Sequence, residues 1–275
     1  MGILTRMIPR RVKDSLKVFM GMAVATPPSA VREPQRFRCP VCNAVGVELQ
    51  HLPIDLFREL NDHQHLYSFS QYETLNVEFY SCSNCGASDR DRLYALYFRR
   101  TLGTANVAVL EVAPVASLTR FIKTFPNVTV RTGDLFMANV DDRIDVMNMH
   151  QYKDSQFDVF LCSHVLEHVA DDITAMKELY RVLKVGGWGI TMVPIHLGLQ
   201  AVVEDPSIKD EAGRWKHFGQ SDHVRMYSKT GFLERLKSVG FSVEEVDRQT
   251  FGDDLWRTCG IHPRSVLYVV RKTVG

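Results

Sequence analysis

The amino-acid sequence predicts an α/β fold, a mostly parallel sheet covered by helices, with a small four-cysteine module ahead of it. Three observations carry this. From residue 89 onward, apolar strand-like runs alternate with helical patterns, which is how a parallel sheet covered on both faces reads. Ahead of them, Cys39 and Cys42, then Cys82 and Cys85, form two CxxC pairs. The chain has 275 residues, 45% of them hydrophobic, enough for one large domain with a smaller attachment and a sizeable core.

Residues 1–36 read as a basic segment and linker. Ile8, Val12, Leu16 and Phe19 recur at helical spacing among Arg10, Arg11, Lys13 and Lys17. That pattern fits either an interfacial anchor or a surface helix. The run 18–25 ends in Ala-Val-Ala like a signal peptide, but it is short for one, and export is not expected. Arg6 stands where a myristoylation signal at Gly2 wants Ser or Thr. No apolar run reaches transmembrane length, so a soluble or peripheral protein is expected. Formal charge is +1 from 33 basic and 32 acidic residues, so no global field draws the chain to nucleic acid or an anionic membrane.

Residues 37–88 read as a zinc ribbon. Each CxxC lets two thiolates converge on one ion, and two such knuckles complete the all-sulfur tetrahedron of structural zinc, with Cys39, Cys42, Cys82 and Cys85 as ligands. Gly86 and Asn43, each following a knuckle, tolerate left-handed backbone. A closed shell has no open position, so the metal holds structure. The segment between the knuckles is too long for a bare loop and is expected to carry a strand at 76–81 and a helical turn, with His51, His63 and His65 at the surface. Cys162 and Cys259 read as buried residues.

Residues 89–275 form the sheet domain. A helix is expected from 89, with Leu93, Leu96 and Tyr97 inward and Gly103 at its end. Strands follow in NVAVLEVA, NVTVRTGD, FDVFLCS, WGITMVPI, FSVEEVD and SVLYVVRK. A helix starting at Asp171 or Asp172 runs to Gly186 and Gly187, and another spans 228–240. Ligands of such sheets bind beyond the carboxyl ends of the strands, which places the turns after Glu111, Asp134, Ser163 and Pro194 around one crevice.

The block FDVFLCSHVLEHVADDITAMKELYRVLKVGGWGITMVPI, 157–195, resembles the centre of class I S-adenosylmethionine-dependent methyltransferases of the type 11 group. With the two knuckles, the EVAP turn and FGQSDHVRMYSKTGFLERLKSVGF, the chain from about 37 to 272 resembles a bacterial zinc-ribbon subset of these enzymes, often encoded near genes for surface polysaccharide synthesis. The resemblance implies a Rossmann-like, seven-stranded sheet. It implies that Glu111, Ala113 and Pro114 shape the turn around the methionine part of the cofactor, and that Asp134, with Leu135 beside it, meets the ribose. Asp145 would bond the adenine, with Val146 against the ring and Asp141 and Asp142 as rivals, and Ser163 and His164 would lie near the methyl-bearing sulfur. Plain strand-end and turn roles for Glu111 and Asp134 stay open. His164 and His168 share an i, i+4 spacing that suits a metal, with no third ligand indicated in the sequence. The EVAPVAS turn, 111–117, lacks the glycines common in this fold, so a different backbone path is expected there.

Methyl transfer to oxygen needs alignment and a base. Asp222 and His223 read as an oriented base pair, His196 as the second choice, and Arg225 and Tyr227 as substrate contacts. The other reading of this loop is a buried polar network pinning a lid. The expected activity is O-methylation of a saccharide or lipid-linked glycan, in the cytoplasm or peripheral at the inner membrane face through the basic N-terminus. Two alternatives are kept: an RNA methyltransferase whose ribbon binds the substrate, disfavoured by the small net charge, and a non-catalytic zinc-ribbon scaffold.

Overall fold

The computed structural model describes residues 36–273; the segment read as a basic anchor lies outside the described residues. Two small antiparallel pairs carry the cysteines. β1 (Phe37–Arg38) pairs with β2 (Val45–Val47), and β3 (Leu49–Gln50) pairs with β4 (Ser81–Cys82). The insertion between the knuckles folds around helix α1 (Ile54–Asp62) and a 3-10 turn at Phe69–Gln71. The strand expected at 76–81 is absent apart from Ser81. Asn76 instead closes a turn, its Oδ1 accepting from the Phe79 amide and its Nδ2 donating to the Gly260 carbonyl.

Helix α2 (Asp89–Thr101) opens on a capping box, in which the Ser88 hydroxyl accepts from the Asp91 amide and the Asp91 carboxylate from the Ser88 amide. The chain then runs through β5 (Val107–Val112), α3 (Ala116–Ile122), β6 (Val128–Asp134), β7 (Asp142–Arg143), β8 (Phe157–Ser163), α4 (Asp172–Val182) and β9 (Leu183–Met192). The short β10 (Val203–Glu204), α5 (Glu211–Phe218) and β11 (Arg225–Met226) form an outer segment. α6 (Lys229–Ser238), β12 (Ser242–Val246), α7 (Arg248–Phe251), α8 (Asp253–Thr258) and β13 (Leu267–Arg271) complete it.

The main sheet has seven strands in the order β12-β13-β9-β8-β5-β6-β7, with β13 antiparallel to both neighbours and the rest parallel. Both faces are covered. Residues adjacent in a strand point to opposite faces: Trp188 meets Tyr97 edge to face and Phe98 at a tilt, both on α2, while Phe160, paired with the next residue Gly189, meets Phe241 beyond α6. The helix expected to stop at Gly186 and Gly187 ends at Val182, because Leu183 already pairs with Phe157 and the two glycines lie inside β9. Asp171 caps that helix through the Thr174 amide.

β5 sits where the chain order reverses, with β6 on one side and β8 on the other. Ligands of open α/β sheets bind at such a switch point, outside the carboxyl ends of the strands.

Candidate active site

A cavity of about 260 Å³ opens at that switch point, lined by Glu111, Val112 and Ala113 from the end of β5 and by Leu161, Ser163 and His164 from the end of β8. The turn after β5 holds the answer to its missing glycines. Ala113 itself takes the left-handed conformation, φ 51°, its amide bonded to the Gly133 carbonyl at 2.9 Å. The expected different path is therefore not used; an alanine occupies the glycine conformation at a steric cost. Glu111 is buried, and burial pushes its carboxyl up to about 7 against hydrogen bonds from Thr119 Oγ1 and the Val115 amide.

On the opposite side of the cavity stands the first turn of α2, with Ser88, Arg90 and Asp91 in the lining. Tyr94 bonds the Ser163 hydroxyl at 2.8 Å. The helix was expected to start at 89, but sequence reasoning did not place its first turn at the site. Its signal was the Ser-x-x-Asp box just before an apolar run. Arg90 Nη1 donates to His164 Nε2 at 2.8 Å, and burial together with that guanidinium pushes His164 down to about 4. His164 is also left-handed, φ 56°, which turns its ring back to Arg90.

A second cavity, about 230 Å³, shares Tyr80, Arg90 and His164 with the first. One wall is apolar and comes from the ribbon insertion, with Leu52, Leu56, Leu60, Phe69, Tyr72 and Leu75. The facing wall is polar, with Glu167, His168, Gln220 and His223. His63 and His65 are half-buried rather than at the surface. His63 stacks on Trp215 and His65 Nδ1 meets the Trp215 carbonyl, which ties α5 to the insertion.

The other expected site residues divide. Asp134 Oδ1 accepts from the Phe136 and Met137 amides at 2.7 Å each, which shapes the loop after β6 and leaves Oδ2 over. Leu135 is partly exposed, Val146 is buried, and Asp145 Oδ1 accepts from the Met147 amide. These four and Pro114 are not among the residues lining the two cavities. Asp141 is held by Thr132 and Asp142 by Arg131 and Tyr152, so both serve the edge of the sheet.

Three expectations are corrected. Arg225 is buried and donates to the carbonyls of Leu166, Val169 and Ala170 and to Glu204; it braces the turn after β8 and touches no cavity. Tyr227 is fully buried on Asp172, which also pairs with Arg235. His196 has both nitrogens engaged, Nε2 on the Ser68 carbonyl and Nδ1 on the Gly198 amide, so it has no nitrogen free to take a proton. The Asp222 and His223 pair is also rearranged. Asp222 faces His168 Nδ1 at 3.2 Å, while His223 Nδ1 faces the Phe218 carbonyl at 3.1 Å.

The four knuckle sulfurs fit a zinc ion. Cys39 and Cys85 lie 3.7 Å apart and Cys42 and Cys82 3.9 Å apart; a tetrahedron with Zn–S near 2.3 Å has edges of about 3.8 Å. Asn43 and Gly86 take φ 63° and 75°, the left-handed turns that such knuckles need. Burial pushes the Cys85 thiol up to about 11, while at Cys42 hydrogen bonds led by Asn84 outweigh burial and bring it down to about 7; holding all four together as thiolates calls for a cation.

Residues 109–191 match the family model of the type 11 methyltransferase domain. The match covers the run from β5 to β9, less than a third of the chain, and marks a methyltransferase domain at the centre of the seven-stranded sheet. The matched block does not reach the ribbon, so the zinc-bearing subset stays a resemblance. Solved structures are similar at low level. The CurJ carbon methyltransferase is 10% identical, with a TM-score of 0.43, over 67% of this chain and 53% of that one, so this chain spans about half its length. The YcgJ protein of Bacillus subtilis is 16% identical, with a TM-score of 0.44, over 66% and 97%. A SAM-dependent methyltransferase of Archaeoglobus fulgidus is 12% identical, with a TM-score of 0.43, over 66% and 94%. Likeness at this level says nothing about substrate. No curated protein matches the sequence.

Proposed function

We propose that the chain methylates a hydroxyl of a saccharide or lipid-linked glycan held between the ribbon insertion and the sheet. The observation that carries this is the meeting of two cavities at Arg90 and His164, one at the switch point and one under the insertion. S-adenosylmethionine supplies a methyl group made electrophilic by its sulfonium. In the cavity that would take the cofactor, the acids Glu111 and Asp91 suit its ammonium group and the remaining N–H groups of Arg90 its carboxylate. Aligning donor and acceptor across the shared boundary is the main contribution of the fold. The acceptor oxygen must also lose its proton, a task for the polar wall.

The finer reading rests on the two unlike walls of the second cavity. Leucines and aromatic rings suit the CH face of a sugar or a lipid attachment, and the opposite wall suits hydroxyls. RNA is disfavoured because Arg90 is the one Lys or Arg among the residues lining the two cavities, too little to hold a phosphate backbone. The four-cysteine module, loaded with zinc, holds the insertion that makes the apolar wall.

Titration calorimetry with S-adenosylhomocysteine tests the reading. Micromolar binding is expected, weakened at least about tenfold in Asp134→Ala, as loss of a charge-assisted hydrogen bond would produce. Folded protein that takes no S-adenosylhomocysteine contradicts it. Transfer of labelled methyl to glycan fractions rather than RNA then tests the acceptor.

A further inference from the structure

Glu167 is 1% exposed, yet neither of its carboxylate oxygens accepts a hydrogen bond. His164 Nδ1 lies 3.0 Å from Oε1, off the line that a hydrogen bond needs. A carboxylate this buried, with no hydrogen bond to it and only the His164 ring close by, is poorly compensated, so the position suits a cation.

Two imidazoles complete the neighbourhood. Glu167, His168 and His223 each bring a ligand atom within 4.8 Å of the others, and the two rings meet edge to face with centroids 4.6 Å apart. Each ring already has an outer partner at Nδ1, the Phe218 carbonyl for His223 and the Asp222 carboxylate for His168. Those acceptors place the proton on Nδ1 and leave the Nε2 lone pair for something else. Metal-bound histidines are supported in this way, by a carbonyl or carboxylate behind the ring. The segments are stitched together locally: the Val224 amide donates to the Glu167 carbonyl at 2.9 Å, and Arg225 holds the carbonyls on either side of Glu167 and His168. Arg225, expected to touch substrate, thus serves to bring His223 to Glu167.

We propose that Glu167, His168 and His223 form a divalent-cation site of the two-histidine, one-carboxylate class, separate from the cysteine module and set in the polar wall of the acceptor cleft. The donor set suits zinc and its transition-metal neighbours rather than magnesium or calcium. Three protein ligands leave coordination open toward the cleft. A cation there supplies Lewis acidity, the property that lowers the pKa of an oxygen ligand. This role in acceptor activation, unlike the site itself, rests on the reading of hydroxyl methylation above.

The test counts zinc. Wild-type full-length chain, Glu167→Gln and His168→Ala are each titrated with zinc chloride by calorimetry, the bound metal is measured after gel filtration, and folding is checked by circular dichroism. The wild type is expected to hold one zinc per chain more than either variant, whatever the cysteine module contributes. Equal counts in the wild type and the folded variants overturn the site. Should Glu167→Gln fail to fold, His168→Ala, whose side chain is 31% exposed, reads the same difference. Titrating the wild-type sample with S-adenosylhomocysteine separates the two claims: extra zinc without cofactor binding keeps the metal site and removes the methyltransferase reading of it, and cofactor binding with equal zinc counts does the reverse.

Discussion

Ala113 shows how this site is built residue by residue. An L-residue in left-handed backbone gives up about 1–2 kcal/mol, and glycine recovers this at an entropic cost of about 0.5–1. Ala113→Gly is therefore expected to stabilise the protein by about 0.5–1 kcal/mol in chemical denaturation, with the turn unchanged; a destabilisation would mean that the alanine methyl packs usefully. Single residues were legible where the chemistry is local. The four cysteines, and Asn43 and Gly86 after them, stand as their spacing implied, because a knuckle is specified within a few positions. His196, Arg225 and Tyr227 misled because a polar residue in a loop reads alike whether it faces a ligand or a carbonyl. Their partners, Ser68, Leu166 and Asp172, come from other parts of the chain.

Among the elements, α2 departs most from its pattern. The sequence suggested one apolar stripe of Leu93, Leu96 and Tyr97, but every residue from Asp91 to Phe98 is buried, since the helix lies between the ribbon and the sheet. Arg92 makes this possible. It is fully buried and donates to the carbonyls of Phe79, Tyr80, Ala87, Cys259 and Gly260, fastening the second knuckle and the segment after α8 to one guanidinium. Arg92→Met keeps the volume and abandons these acceptors, so a loss of about 3 kcal/mol or more is expected from denaturation curves. A loss under about 1 kcal/mol would show that water reaches the carbonyls. The central strands β5, β8 and β9 and the inner β13 were visible in the sequence as near-continuous apolar runs, because they are largely buried. The two-residue β7 was not, since Asp142 and Arg143 carry no apolar signal, and the expected strand at 76–81 failed because Asn76 closes a turn.

At the scale of the whole molecule, the fold was readable in the sequence and the cleft under the insertion was not. Glu111, Ala113, Ser163 and His164, which the resemblance gave to the cofactor, line one cavity at the switch point of the sheet. The apolar wall of the second cavity comes from the stretch between the knuckles, which in sequence reads only as a strand and a helical turn. Only the packing of that insertion against the turn after β8 and the loop before β11 reveals a cleft, and with it the cluster of Glu167, His168 and His223. No helix among the described residues is long and apolar enough to cross a membrane.

Two cavities meet at Arg90 and His164, and the proposed function gives one to the cofactor and the other to the acceptor. A crystal structure of the zinc-loaded protein with S-adenosylhomocysteine tests it most directly. The homocysteine end is expected beside Glu111 and Ala113, with its carboxylate on Arg90, its sulfur facing the boundary at His164, and the cleft under the insertion still open. S-adenosylhomocysteine lying in the leucine-walled cleft, or filling both cavities, would contradict it.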